Sequence, residues 1–174
     1  MKSDTKEKLF LDLLKENKDR IYRICYAYLN DKSEVDDLFQ EVMVNIWKHL
    51  ESFRKEAAIS TWIYRIAVNT ALLYIRSEKK RNTLFSKSTQ EIENIKIESE
   101  SLENEIEKKT LMKKLYACIR LLPKLDRSII SLVLEDIQYK EIADILGISV
   151  SNVGVKINRI KKQLSKMMEV ENEI

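Results

Sequence analysis

The sequence predicts an all-α protein: two small helical domains joined by an acidic linker, the C-terminal one carrying a helix-turn-helix. Three observations lead there. Glycine and proline number only two and one in 174 residues, and helices do without them where sheets and tight turns do not. Apolar residues recur at spacings of three and four along both halves of the chain. Between residues 86 and 107 that recurrence lapses into a polar stretch, with Glu91, Glu93, Glu98, Glu100, Glu103, Glu105 and Glu107 against only Lys87 and Lys96. The expected division is therefore 1–85, a linker over 86–107, and 108–174.

Taken in order, Leu9, Phe10, Leu13, Leu14, Ile21, Ile24, Cys25, Tyr28 and Leu29 give one or two amphipathic helices. Asn30-Asp31-Lys32 reads as a turn, and Ser33 as the cap of a helix with Asp36 three residues on. The apolar stripe of that helix is Val35, Leu38, Phe39, Val42, Met43, Ile46, Trp47 and Leu50. A polar loop follows from Glu51. Ser60 or Thr61 then caps a third helix carrying Ile63, Ile66, Ala67, Thr70, Leu73 and Tyr74. After the linker, Ile106, Leu111, Leu115, Cys118, Ile119 and Leu122 form a new stripe that Pro123 ends, and Pro123 opens the next helix. In the last stretch, Ile142, Ala143 and Leu146 lie on a short helix that meets Gly147. Ser149 caps a longer helix with Val153, Ile157 and Ile160 inside, which is a helix-turn-helix pattern.

Composition narrows the function. Hydrophobic residues make up 44% and charged residues 34%, as in soluble globular chains, and a net charge of +3 says little by itself. The opening MKSDTKEKLF has no secretory apolar core, and Cys25 and Cys118 sit apart in apolar patterns, so buried thiols and a cytoplasmic location are expected. One histidine, His49, rules out a multi-histidine metal site, and two glycines leave no phosphate-binding loop. No catalytic set or cofactor emerges, and no enzyme activity is expected.

Three features carry possible chemistry. The last helix bears Lys156, Arg159, Lys161, Lys162 and Lys166 with no acid before Glu169, which suits phosphates flanking a major groove. FRKEAAISTWIYRIAVNTALLYIRSEKKR, residues 53–81, interleaves cations with Phe53, Trp62, Tyr64 and Tyr74. That mixture suits a single strand, although aromatics at helical spacing are more often core. Asn69 there is either a packing amide or a base reader. In DDLFQEVMVNIW, Asp37, Gln40, Glu41 and Asn45 share one polar helical face, ordinarily a solvated one.

These motifs, in this order around an acidic linker, resemble the extracytoplasmic-function (ECF) sigma factors of bacterial RNA polymerase. Residues 22–81 resemble the promoter-opening region two, and residues 121–164 the upstream-element region four. FRKEAAISTWIYRIAVNTA is similar to the family's FRG-S-TWLYRIA-N-A wording, and DDLFQEV to its D-DL-QE-F helix. The resemblance implies a factor that directs core polymerase to chosen promoters and opens the minus-ten element. Asp37, Gln40, Glu41 and Asn45 would grip the clamp helices of the β′ subunit. Phe53, Arg54, Lys55 and Ser60 would hold a flipped base, with Arg65 and Asn69 beside it and Arg76 and Arg81 on the backbone. Region four would meet the β flap, and Ser149, Ser151, Asn152, Lys156, Asn158 and Arg159 would face the minus-thirty-five element. An anti-sigma protein is the further partner the family implies, with no insertion of the chain into the membrane. Gly154-Val155 departs from the family's basic residue and serine. The competing readings are a one-component helix-turn-helix regulator whose N-terminal bundle senses a ligand or dimerises, and a helical interaction module without DNA.

Overall fold

In the computed structural model the residues described are 3–54, 58–84 and 103–170. They form seven α-helices and one 3-10 turn, with no strand among the described residues. The all-α expectation is met. The first group is α1 (Ser3–Tyr26), α2 (Lys32–His49), the 3-10 turn Leu50–Ser52 and α3 (Ile59–Leu84). The second is α4 (Glu103–Leu121), α5 (Lys124–Val133), α6 (Tyr139–Leu146) and α7 (Val150–Val170). Most of the expected linker lies outside the described residues; from Glu103 onward it is already α4.

Local chemistry sets most boundaries. Pro123, at φ −53°, precedes α5, and its carbonyl accepts from Arg127 N at 2.9 Å. Gly147 ends α6 at φ 68°, the left-handed conformation that costs glycine no Cβ clash. Ser149 Oγ accepts from Asn152 N at 3.2 Å and opens α7 as expected.

Two caps differ from expectation. The cap of α2 is Asp31, whose Oδ1 accepts from Ser33 N at 2.7 Å and Glu34 N at 3.1 Å. A charged carboxylate accepts two amides at once, which the Ser33 hydroxyl does less well. Ser60 and Thr61 do not cap α3 either. The helix already begins at Ile59, with Trp62 N donating to Ala58 O at 3.2 Å, so both hydroxyl residues lie in its first turn.

The core is one continuous cluster to which both groups contribute. Val35, Leu38, Val42, Ile46 and Leu50 of the expected α2 stripe are buried, whereas Trp47 is exposed and instead packs edge-on against Phe10 at 5.3 Å. On α3 the buried face runs through Ile63, Tyr64, Ala67, Val68, Ala71 and Ile75, and Leu73 is left 62% exposed. The face is shifted because α3 packs on α1 and α2 and also on α6. Tyr64 belongs to the core: its hydroxyl donates to Asn17 Oδ1 at 2.9 Å, and Asn17 Nδ2 donates to Leu13 O at 2.9 Å. Cys25 and Cys118 are buried thiols, and burial pushes Cys25 up to about 12.

Candidate nucleic-acid interface

The two helix groups meet through polar side chains. Arg23 of α1 donates from Nε to Glu135 Oε1 at 2.8 Å and from Nη2 to Oε2 at 2.7 Å, a two-pronged pair with a carboxylate whose side chain is only 3% exposed. Tyr28 and Ser128 share a buried hydrogen bond at 2.7 Å. Arg120 of α4 donates to the carbonyls of Tyr26 and Leu29, at 3.2 and 3.3 Å, where α1 has ended and its last carbonyls lack helical partners.

This junction reaches the minus-ten candidates. Thr61 Oγ1 donates to Glu141 Oε1 at 3.3 Å, and Arg65 Nη2 donates to Asp144 O at 2.6 Å. The first helix of the helix-turn-helix thus touches the opening turns of α3. Asn69 and Arg76 lie exposed along the same helix, one and three turns on from Arg65, and Ser60 is half-buried. Phe53 is half-buried against Trp62, ring centroids 5.3 Å apart, and Arg54 is exposed. Lys55 lies outside the described residues, and Arg81 is placed as a backbone position on α3.

On α2, Asp37, Gln40 and Glu41 are exposed together. Asn45 turns toward the neighbouring helix, its Nδ2 donating to Thr70 Oγ1 at 3.1 Å. The polar spacing that grouped it with the other three places it at the α2–α3 seam.

On α7, Ser149, Ser151, Asn152, Asn158 and Arg159 are exposed, opposite the buried row Val153, Ile157 and Ile160. Lys156 is half-buried. Its Nζ donates to Asp126 Oδ1 at 2.7 Å, while Arg159 Nη2 donates to Asp126 Oδ2 at 2.8 Å. Burial alone would raise the Asp126 carboxyl, but the hydrogen bonds and charges of these two cations outweigh it and hold it below its ordinary value. The sequence reading passed over Asp126, Glu135 and Arg120. For Asp126 a signal existed: an acid three residues before Ile129, on the apolar face of its helix.

Nothing among the described residues gathers three or more metal-ligating side chains, and no described helix is long and apolar enough to cross a membrane. An apolar gap bounded by Phe10, Leu13, Leu14, Met43 and Ile63 offers about 10 Å³, one water's worth of space rather than a ligand-sensing cavity.

Comparison with known proteins covers both groups. The sequence matches Sigma-70 region 2 over residues 13–81 and Sigma-70 region 4 over residues 112–164. It is 29% identical to the ECF RNA polymerase sigma factor SigW of Bacillus subtilis, across 91% of this chain and 88% of that one. With the ECF RNA polymerase sigma-E factor of Escherichia coli K12 the identity is 31%, across 78% of this chain and 74% of the other. The fold is shared with CnrH, solved in complex with the cytosolic domain of CnrY, at a TM-score of 0.68 and 18% identity over 94% of this chain and 90% of that one. It is shared equally with RpoE of Bartonella quintana, solved with the anti-sigma factor NepR, at a TM-score of 0.69 and 16% identity over 91% and 98%. With both sigma regions matched in order and relatives of one kind matched along most of their length, the chain belongs to the ECF sigma factors.

Proposed function

We propose that this chain, an alternative sigma factor that directs RNA polymerase to promoters, divides the work between a strand-capturing surface on α3 and a duplex-reading surface on α7. The observation that carries the division is the exposure of Asn69 on one helix and of Asn158 and Arg159 on the other, at positions matching two different sigma regions. Phe53, Arg54, Lys55 and Ser60 hold an unpaired base of the minus-ten element, with Arg65 and Asn69 alongside and Arg76 and Arg81 following the backbone. Ser149, Ser151, Asn152, Lys156, Asn158 and Arg159 face the minus-thirty-five element.

Asp37, Gln40 and Glu41, with Asn45 at their edge, dock on the β′ clamp helices, and the second group docks on the β flap. The domains are 1–85 and 108–174, joined by 86–107. Opening is driven by binding: capture of unstacked bases offsets the few kcal/mol of unpairing, so the chain is not itself an enzyme. It works in the cytoplasm and is held in check by an anti-sigma protein. In the arrangement seen here Arg65 already has a partner in Asp144, so engaging a strand there exchanges one hydrogen bond for another.

Run-off transcription with purified core polymerase tests the reading, on duplex and pre-melted promoters. Asn69→Ala should cut strand capture by about 1–3 kcal/mol on both templates, while Arg159→Ala should cut closed-complex binding by a similar amount. Transcription that is independent of this chain would sink the sigma reading. Equal loss from both substitutions at both steps would sink the division of labour.

A further inference from the structure

Asp126 is buried in the first turn of α5, 1% exposed, and both of its oxygens are occupied by cations from the next-but-one helix. A buried carboxylate is a costly way to join two helices, since apolar residues of similar volume do so as well or better. The two cations it holds are not equivalent. Lys156 is largely enclosed, its side chain 21% exposed, whereas the Arg159 side chain is 66% exposed although Nη2 is taken. The carboxylate therefore grips one nitrogen of the guanidinium and leaves most of that planar fork facing outward. Lys156, three residues earlier on the same face, fills the other oxygen and keeps the site net positive.

A free arginine samples many rotamers and must surrender them to make a two-pronged contact with the N7 and O6 edge of a guanine. One already tethered at Nη2 has surrendered them in advance. We infer that Asp126 is a specificity-determining positioning residue: it presents Arg159 in a fixed orientation for reading a base edge of the upstream element. The inference rests on the duplex-reading role of α7 and adds to it a residue that touches no DNA.

The experiment uses holoenzyme assembled from the full chain and core polymerase. Upstream duplexes are first enriched from a randomised pool by the wild-type holoenzyme, and binding is then measured to every single base-pair substitution of the enriched sequence. Asp126→Asn should flatten discrimination about fivefold or more at the base pairs whose discrimination Arg159→Ala also removes. It should leave the other positions, the affinity for random duplex and the salt slope as they were, because no phosphate-binding cation is lost. Combined with Arg159→Ala it should have no further effect at those positions. Asp126→Glu, which keeps the charge but moves the carboxylate by one methylene, should disturb the same base pairs, and it serves if the asparagine variant folds poorly. An unchanged position profile, or a loss spread evenly over all positions as a simple structural brace would give, overturns the inference. A pool from which the wild type enriches no upstream sequence overturns the underlying reading of α7 instead.

Discussion

In the N-terminal group, Arg65 reaches outside its own helices to the carbonyl of Asp144, and Thr61 to Glu141, whereas in the C-terminal group Lys156 and Arg159 both turn to Asp126 of the same group. The first arrangement depends on how the two groups sit against each other. The second does not. A separation of the groups changes the surroundings of the α3 surface and leaves those of the α7 surface intact. Polar pairs, above all Arg23 with Glu135, tie the groups together at a junction that also shares the apolar core.

The largest expected effect tests whether the groups are separately stable. Ile157 is fully buried on α7, and Ile157→Ala should cost about 2–5 kcal/mol through lost burial and the cavity left behind. Trp47 and Trp62 both lie in the N-terminal group, so their fluorescence reports that group while far-ultraviolet dichroism reports all helices. In urea the dichroism of this variant should begin to fall before the fluorescence changes. Coincident transitions would merge the two groups into one cooperative unit and remove the basis of the comparison.

A smaller effect addresses the junction alone. Glu135→Ala removes a nearly buried acceptor of two charged hydrogen bonds, each kind being worth about 1.5–3 kcal/mol, with Arg23 half-exposed and so toward the low end. The radius of gyration from small-angle scattering should rise, whereas Asp126→Asn should leave it unchanged. If both variants expand the molecule, Asp126 also serves the junction, and the contrast between an outward-tied and an inward-tied cation is lost.

The smallest effect lies on α7. A Cβ added at Gly154 would meet nothing within 4 Å, and the position is helical. Gly154→Ala should therefore raise the urea midpoint, by up to about 1 kcal/mol of stability. Its affinity for upstream duplex sharpens the comparison further. Unchanged affinity leaves recognition with Asn158 and Arg159, while a loss of binding in a more stable protein would mean that DNA approaches the bare backbone at this glycine.

Helical spacing, caps and breakers determined a great deal on their own. The α2 stripe apart from Trp47, the Pro123 break, the turn at Gly147 and the Ser149 cap are local consequences of side-chain periodicity and backbone preference, and each stands where the pattern put it. The matching motifs likewise gathered the residues proposed for the α3 and α7 surfaces along single helices, as short patterns. Tertiary structure decided which face of α3 is buried, turning Leu73 outward and Tyr64 inward, since that choice depends on three packing partners rather than on α3 itself. It also decided the partners of the charged residues. Asp126 with Arg159, Arg23 with Glu135 and Arg65 with Asp144 join positions 33, 112 and 79 residues apart. An ion pair or hydrogen bond needs its two atoms within about 3 Å, and no periodicity in a single helix can say which distant group the fold will bring that close.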